Sequence, residues 1–206
     1  MIQEPFIQHL IAKYKTPAFT DAVGTGSIFG PILACAVALP YEYYNPEVDD
    51  SKKLPHKTIY RLAPILKTKM IWAVGVVSAE ELLVIKNNLK GEHIAMARAV
   101  GAIQKKIAID VVFVDGKFTL PKTGIQSYAI IRGDSCSFGI AAASIIAKNE
   151  RDQQMITKYN NIYPGYDLIH CKGYKSPKHR SAILNLGITE EHRNYLPYVK
   201  KLLGKI

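Results

Sequence analysis

Apolar runs and helical stripes alternate along the 206 residues of this chain. Pro31 to Leu39 (PILACAVAL) and Ile71 to Val77 (IWAVGVV) are near-continuous apolar runs of strand length, the pattern of strands covered on both faces. Shorter runs at Ala18 to Val23, Ile109 to Val114 and Tyr128 to Ile131 complete an expected five-stranded sheet. Between them, Lys57 to Lys67 reads as a helix whose middle is weakened by Pro64. Ser78-Ala79-Glu80-Glu81 has the form of a capping box opening another. His93 to Lys106 carries Ile94, Ala97, Val100 and Ile103 at a helix-face spacing. Gly139 to Tyr159 predicts a long helix with a small-residue first half, and two further helices are expected after Pro177 and Thr189. No repeat, low-complexity tract or linker divides the chain. The expected class is α/β, one domain over residues 1–206, with a helical C-terminal appendage over 160–206.

Composition narrows this. At 48% hydrophobic and 21% charged, the chain is too apolar for disorder. No apolar stretch reaches the ~18–20 residues of a membrane span, and Met1 to Tyr14 has no signal-peptide core. Cys35, Cys136 and Cys171 are widely spaced and odd in number, so neither a disulfide framework nor a zinc site is indicated. A cytoplasmic monomer without a membrane partner is expected. The 27 Lys and Arg against 17 Asp and Glu leave a formal charge of +10, which suits a polyanionic partner, although a merely basic protein would look the same. Around Tyr174, the stretch Cys171 to Arg180 holds four fixed positive charges and no acid. It is either a phosphate-tracking surface with one stacking platform or a helix start at Ser176-Pro177.

Three aspartates stand beside glycines: Asp21 shortly before Gly24-Thr25-Gly26, Asp115 before Gly116, and Asp134 after Gly133. Carboxylates at the ends of neighbouring strands can converge on a hard divalent cation. Crowded like charges persist only with a metal or with raised pKa values. Turn or capping roles account for each aspartate singly just as well. Gly24 to Gly26 would let backbone approach a ligand, and Asp50-Ser51-Lys52-Lys53-Leu54 offers hydroxyl and ammonium groups to phosphates. There is no P-loop, GxSxG or HExxH string.

In order along the chain stand DAVGTGSIFGP (residues 21–31), DSKKL (50–54), VDG (114–116), RGD (132–134), AAASIIAK (141–148), RD (151–152), YPGY (163–166) and KGY (172–174). This series resembles the type 2 ribonucleases H, the ribonuclease HII and HIII group. The resemblance implies an RNase H-like fold, a central mixed sheet flanked by helices. It implies an endoribonuclease of DNA replication and repair that cleaves the RNA strand of RNA–DNA hybrids, or at ribonucleotides in duplex DNA. Cleavage would be by two-metal hydrolysis, leaving 3′-hydroxyl and 5′-phosphate ends, with Mg²⁺ or Mn²⁺ held by an Asp-Glu-Asp-Asp set. Carried over by residue, Asp21, Asp115 and Asp134 are the aspartates, and Ala22 stands where the family has glutamate. Gly24, Thr25 and Gly26 would read the ribose 2′-hydroxyl through their backbone. Ser51, Lys52, Lys53, Lys172 and Lys178 would hold phosphates, and Tyr174 would stack on a sugar at an RNA–DNA junction.

The departures bear on activity. Ala22 removes a metal ligand, and no acid occurs from Ala22 to Tyr41 to replace it, so impaired catalysis is expected. The alanine reads either as a Glu→Ala change in an otherwise complete enzyme, which the intact remaining positions favour, or as the mark of a non-catalytic hybrid-binding paralogue. Thr25 replaces the arginine usual in ribonuclease HII, and GTG followed by IFGP is closer to ribonuclease HIII. KGY is of the HII kind, but Lys175-Ser176 follows it in place of Gly-Thr. Cleavage of longer hybrids is therefore the firmer expectation than cleavage at a single ribonucleotide. An unrelated metal phosphoesterase acting on small substrates would instead show no preference for duplexes.

Overall fold

The computed structural model describes residues 5–39, 43–120 and 123–204. Its strands are β1 (Pro17–Val23), β2 (Ile32–Ala38), β3 (Ile71–Val77), β4 (Val111–Asp115) and β5 (Ser127–Ile130), in spatial order β3-β2-β1-β4-β5. The β1–β2 and β2–β3 pairs are antiparallel, whereas β1–β4 and β4–β5 are parallel. The sheet is thus mixed, as expected. The helices are α1 (Pro5–Ile11), α2 (His56–Lys69), α3 (Ala79–Ile85), α4 (Asn88–Gln104), α5 (Gly133–Cys136) and α6 (Phe138–Gln154). A π-helical turn (Met155–Tyr159) then leads to α7 (Asn160–Ile162), α8 (Leu168–Cys171), α9 (Pro177–Leu186) and α10 (Pro197–Leu202). Among the described residues no helix is long and apolar enough to cross a membrane.

Two layers cover the sheet. On one face Phe19, Leu33, Cys35, Val37, Val111 and Phe113 pack with the small-residue half of α6 and the apolar stripe of α2. On the other, Ile32, Ala34, Ala36, Val112 and Val114 pack against Ala95, Met96, Ala99 and Val100 of α4. Every residue of β2 is buried because both layers meet there. The equally apolar β3 is not covered on both faces, contrary to expectation: it is the sheet edge, with Ile71 exposed and alternate residues only half-buried. Its Trp72 is shielded instead by the ammonium groups of Lys67 and Lys106, 5.0 and 5.6 Å from the ring. Gly75 in β3 sets how close α4 comes. A Cβ there would lie 2.1 Å from the Ala95 carbonyl oxygen and 2.4 Å from the Ala99 nitrogen, both backbone atoms. Only glycine allows this helix–strand approach.

The Ser78 capping box forms as read, with Glu81 N–H donating to Ser78 Oγ and Ser78 N–H to Glu81 Oε2. α2 runs through Pro64, and α4 begins at Asn88, before the expected start at His93, because Asn87 caps it. No helix follows Thr189 directly. The chain from Thr189 to Arg193 spends its backbone on docking: Thr189 N–H donates to His192 Nδ1, and Arg193 N–H donates to the Ile28 carbonyl. The last helix waits for Pro197.

The C-terminal helices form a third core of Ile28, Phe29, Met155, Tyr159, Tyr166, Leu168, Ile183 and Val199. Inside it, His179 Nε2 and His192 Nε2 stand 3.3 Å apart, buried against the Phe29 ring. Burial, and then the neighbouring His179, pushes His192 down to about 3, while burial also lowers His179. The native state therefore stays neutral where the unfolded chain binds protons. This contribution is complete above the ordinary histidine value of 6.5 and is lost as pH falls towards 3. We expect the urea midpoint of the parent chain to fall more steeply than that of a His192→Gln variant between pH 6.5 and 4.5. Parallel profiles over that window would remove the buried-neutral assignment.

Candidate active site

Successive residues of β1 face opposite layers. Phe19 and Val23 belong to the α6 side, Ala18 and Ala22 to the α4 side. Asp21 therefore projects towards α6, where Ser144 hydrogen-bonds its carboxylate. The parallel register pairs Phe19 with Phe113 and Thr20 with Val114, so Asp21 and Asp115 come next as neighbours on the same face. Asp115 Oδ1 accepts from the Gly133 N–H at 2.7 Å, which anchors the start of α5 and with it Asp134. Asp134 Oδ2 in turn accepts from Lys52 Nζ at 2.6 Å. Asp21 and Asp115, 94 positions apart in sequence, thus come side by side at the C-terminal ends of the parallel strands, while Asp134, at the start of α5, stands close enough for its charge to push both of their pKa values up.

The electrostatics are strained. Burial, then the charge of Asp115, pushes Asp21 up to about 8 despite the Ser144 and Ala22 hydrogen bonds. Burial, then Asp134, also raises Asp115. Burial disfavours the Lys52 ammonium, yet the hydrogen bond and charge of Asp134 outweigh this and raise its pKa. Proton uptake and one lysine are how the protein offsets crowded carboxylates without a metal. Among the described residues no group of three or more carboxylates, imidazoles or thiols stands close enough to hold a metal ion by itself. That donor set still fits Mg²⁺ or Mn²⁺, because such ions keep several waters and use one or two carboxylates plus substrate phosphates. Asp21 and Asp115 supply hard oxygen donors whose repulsion a cation would relieve.

Asp21 and Asp115, but not Asp134, line a pocket of about 350 Å³ together with Ala22, Gly24 to Gly26, Ser51, Lys52, Glu92, Ser144, Lys148 and Tyr174. Ser51 and Ser144 share a hydroxyl contact of 2.8 Å. Lys148 bonds Asp152 at 2.8 Å, and its ammonium lies 5.6 Å from the Tyr174 ring.

The glycine loop on one side of the pocket is held by two fully buried arginines. Arg151 donates to the carbonyls of Pro31, Phe29 and Lys172 and to Ser27 Oγ. Arg193 donates to the carbonyls of Gly24, Ser27 and Gly30. Gly24 has φ +94°, and a Cβ there would meet Arg151 Nε at 2.5 Å, so both conformation and space require glycine. Thr25 is pinned from α4: its hydroxyl donates to Glu92 Oε2, and its carbonyl accepts from Asn88 Nδ2 at 2.5 Å.

Of the residues expected at phosphates, Ser51 and Lys52 line the pocket, while Lys53 points out to Asp49 at 3.4 Å. Two expectations are corrected. Lys172 is buried, with its ammonium donating to the Ile169 carbonyl, because a left-handed turn (φ 51°) folds it back on α8. Lys178 lies on α9 in a separate hollow with Gly165 and Leu186. Glu92, Ser144, Lys148 and Arg193 were not singled out from sequence. Each sits in an ordinary polar or helical context, and only the tertiary fold brings it to the loop or the pocket.

Known proteins share this fold. The family model for ribonuclease HII matches residues 19–199. A ribonuclease HII from Parabacteroides distasonis is 40% identical over 180 residues, covering 87% of this chain and 88% of that protein. In fold, the chain is similar to the ribonuclease H2 from Pyrococcus horikoshii OT3, with TM-score 0.76, 21% identity, and coverage of 93% of this chain and 98% of that one. It is also similar to Bst-RNase HIII in complex with Mn²⁺, with TM-score 0.75, 20% identity, and coverage of 92% and 69%.

Proposed function

Because this chain belongs to the ribonuclease HII family, we propose that it hydrolyses the RNA strand of RNA–DNA hybrids, leaving 3′-hydroxyl and 5′-phosphate ends. The observation that carries this reading is the Asp21–Asp115 pair, held under charge stress in the same pocket as the glycine loop and Tyr174. Asp21 and Asp115 would hold Mg²⁺ or Mn²⁺, which would supply the Lewis acidity that activates water and stabilises the leaving 3′-oxygen. The chain's own residues orient the duplex. The backbone of Gly24 to Gly26, fixed from behind by Arg151 and Arg193, lies where a ribose 2′-hydroxyl, the group distinguishing RNA from DNA, can be read. Lys52 and Lys148 bring positive charge to the pocket for phosphates. Tyr174, with the Arg151 guanidinium 5.1 Å from its ring, offers a sugar-stacking face. The +10 charge favours a duplex partner in a salt-dependent way. Ala22 slows hydrolysis by leaving the α4 side of the carboxylate pair without the family glutamate.

Three duplexes test this: all-DNA, DNA with one embedded ribonucleotide, and a full hybrid, each with Mg²⁺ or Mn²⁺. We expect cutting of the hybrid RNA strand, none of all-DNA, and a gain of about tenfold or more for Ala22→Glu. A folded Ala22→Glu protein that binds hybrid in a salt-sensitive way yet cuts nothing with either metal would overturn the nuclease reading in favour of a binding paralogue.

A further inference from the structure

We propose that Asn88, at the start of α4, is a positioning residue for the glycine loop: it fixes the Thr25–Gly26 peptide so that the loop selects ribose over deoxyribose. The inference rests on the reading above, in which Gly24 to Gly26 face the ribose 2′-hydroxyl, and adds what aims the loop's donors. A trans peptide points its C=O and N–H to opposite sides, so whatever holds the carbonyl also aims the amide. The Gly24 carbonyl accepts from Arg193 Nη1 at 2.7 Å and from the Ser27 N–H at 3.1 Å. The Thr25 carbonyl accepts from Asn88 Nδ2 at 2.5 Å, with Arg193 Nη1 further off at 3.4 Å. Both carbonyls are thus committed to α4, the arginine and the turn. The Thr25 and Gly26 N–H groups have no acceptor among the described residues. A Cβ on Gly26 would meet only the Tyr174 ring, at 4.0 Å, so there is room for a ligand beside that amide. The loop therefore offers donors, and the 2′-hydroxyl is an acceptor that deoxyribose lacks.

Asn88 is itself held in one orientation. The Tyr195 hydroxyl donates to its Oδ1, which leaves Nδ2 for the Thr25 carbonyl. One turn further on, Glu92 Oε2 accepts from the Thr25 hydroxyl, so one helix holds Thr25 by both side chain and main chain. Aspartate at position 88 would keep the shape, keep the Tyr195 bond and suit the first turn of a helix. It would also set a carboxylate oxygen against the Thr25 carbonyl. A space-filling role predicts that Asn88→Ala does more harm than Asn88→Asp, whereas positioning predicts the reverse.

The test uses the full chain with Ca²⁺ present, duplex affinity read by fluorescence anisotropy, and circular dichroism to check folding. Two ligands are compared: an RNA–DNA hybrid, and the same hybrid with 2′-fluoro in place of every 2′-hydroxyl, which keeps the sugar pucker. The parent is expected to bind the hydroxyl hybrid about five- to tenfold more tightly. Asn88→Asp is expected to abolish that preference while holding affinity for the 2′-fluoro hybrid within about twofold of the parent. Asn88→Ala and Tyr195→Phe are expected to fall between. A folded Asn88→Asp protein with the parental preference, or a larger loss in Asn88→Ala, would overturn the assignment and leave the loop's reading of the hydroxyl standing. Equal loss of affinity for both duplexes would overturn it as well, by showing a merely structural role. Should Asn88→Asp not fold, an unchanged preference in Tyr195→Phe would count against the assignment in the same way. A parent without any preference would remove the loop as the reader of the 2′-hydroxyl and this inference with it, while hybrid cleavage would still decide the nuclease reading.

Discussion

Replacing Asp21 with asparagine is expected to lower the rate of RNA-strand hydrolysis by about 10³-fold or more and, at the same time, to stabilise the metal-free protein at alkaline pH. Both effects have one cause. Asp21 lies buried beside Asp115, and its carboxyl is pushed up to about 8. Between its ordinary 3.8 and 8, the native state holds a proton that the unfolded chain has released. Stability from this group is therefore complete at low pH and is lost as pH rises through 8. Asparagine keeps the shape and removes the charge, so the variant should lose this decline. It also loses the anionic oxygen on which a cation depends. Melting curves in EDTA at pH 5 and pH 9, paired with single-turnover cleavage, measure the two together. A loss of less than tenfold in rate would remove Asp21 from the chemistry. An unchanged slope of melting temperature with pH would remove the buried-charge account.

The second large effect is expected at Arg193, which holds the glycine loop from behind without lining the pocket itself. Arg193→Lys should cost about 3 kcal/mol or more of folding stability and reduce cleavage on the order of 10²-fold through displacement of the glycine loop. The guanidinium reaches the Gly24 carbonyl at 2.7 Å, Ser27 at 2.9 Å and Gly30 at 2.9 and 3.1 Å. One fork therefore ties both ends of the loop. An ammonium carries its donors on a single nitrogen and cannot span those carbonyls, so some stay buried and unpaired. Burial, then the Arg151 charge nearby, already lowers Arg193 to about 9, and a lysine in that place would shed its proton more readily. Urea denaturation of both proteins reads the stability change. A shift under 1 kcal/mol, or a destabilised variant with unaltered cleavage at saturating substrate, would show that the loop does not depend on this clamp.

The strands were legible because their apolar runs are short, dense and bounded by polar or glycine-containing stretches, and all were located within a few residues. The Ser78 cap was legible because its chemistry is local. What misled was periodicity without context. IWAVGVV looks as buried as PILACAVAL, yet one strand forms the sheet edge and the other its centre. The stretch after Thr189 reads as helical, but its groups are committed to His192 and the 24–31 loop. α1 was missed because so short a segment carries too few periods to register.

At the candidate site the division is similar. Asp21, Asp115 and Asp134 drew notice by lying beside glycines; the strand register sets Asp21 next to Asp115, and the Gly133 hydrogen bond to Asp115 brings the start of α5, with Asp134, near them. Lys172 and Lys178 drew notice by charge alone. One is folded inward and the other stands elsewhere, since charge along a chain does not specify direction. Glu92 drew none: a glutamate on an amphipathic helix is unremarkable until the helix is seated on the sheet beside position 22.

Local chemistry settles what is written within a few neighbouring residues: an apolar run becomes a strand, Ser78 caps a helix, and a glycine permits a turn. Which carboxylates share one pocket, which lysines face it, and which buried arginines hold its loop are questions of distance between parts of the chain far apart in order. Strand pairing and the closeness of α4 to Gly75 decide them, because charge repulsion, burial and hydrogen bonding act through space rather than along the backbone.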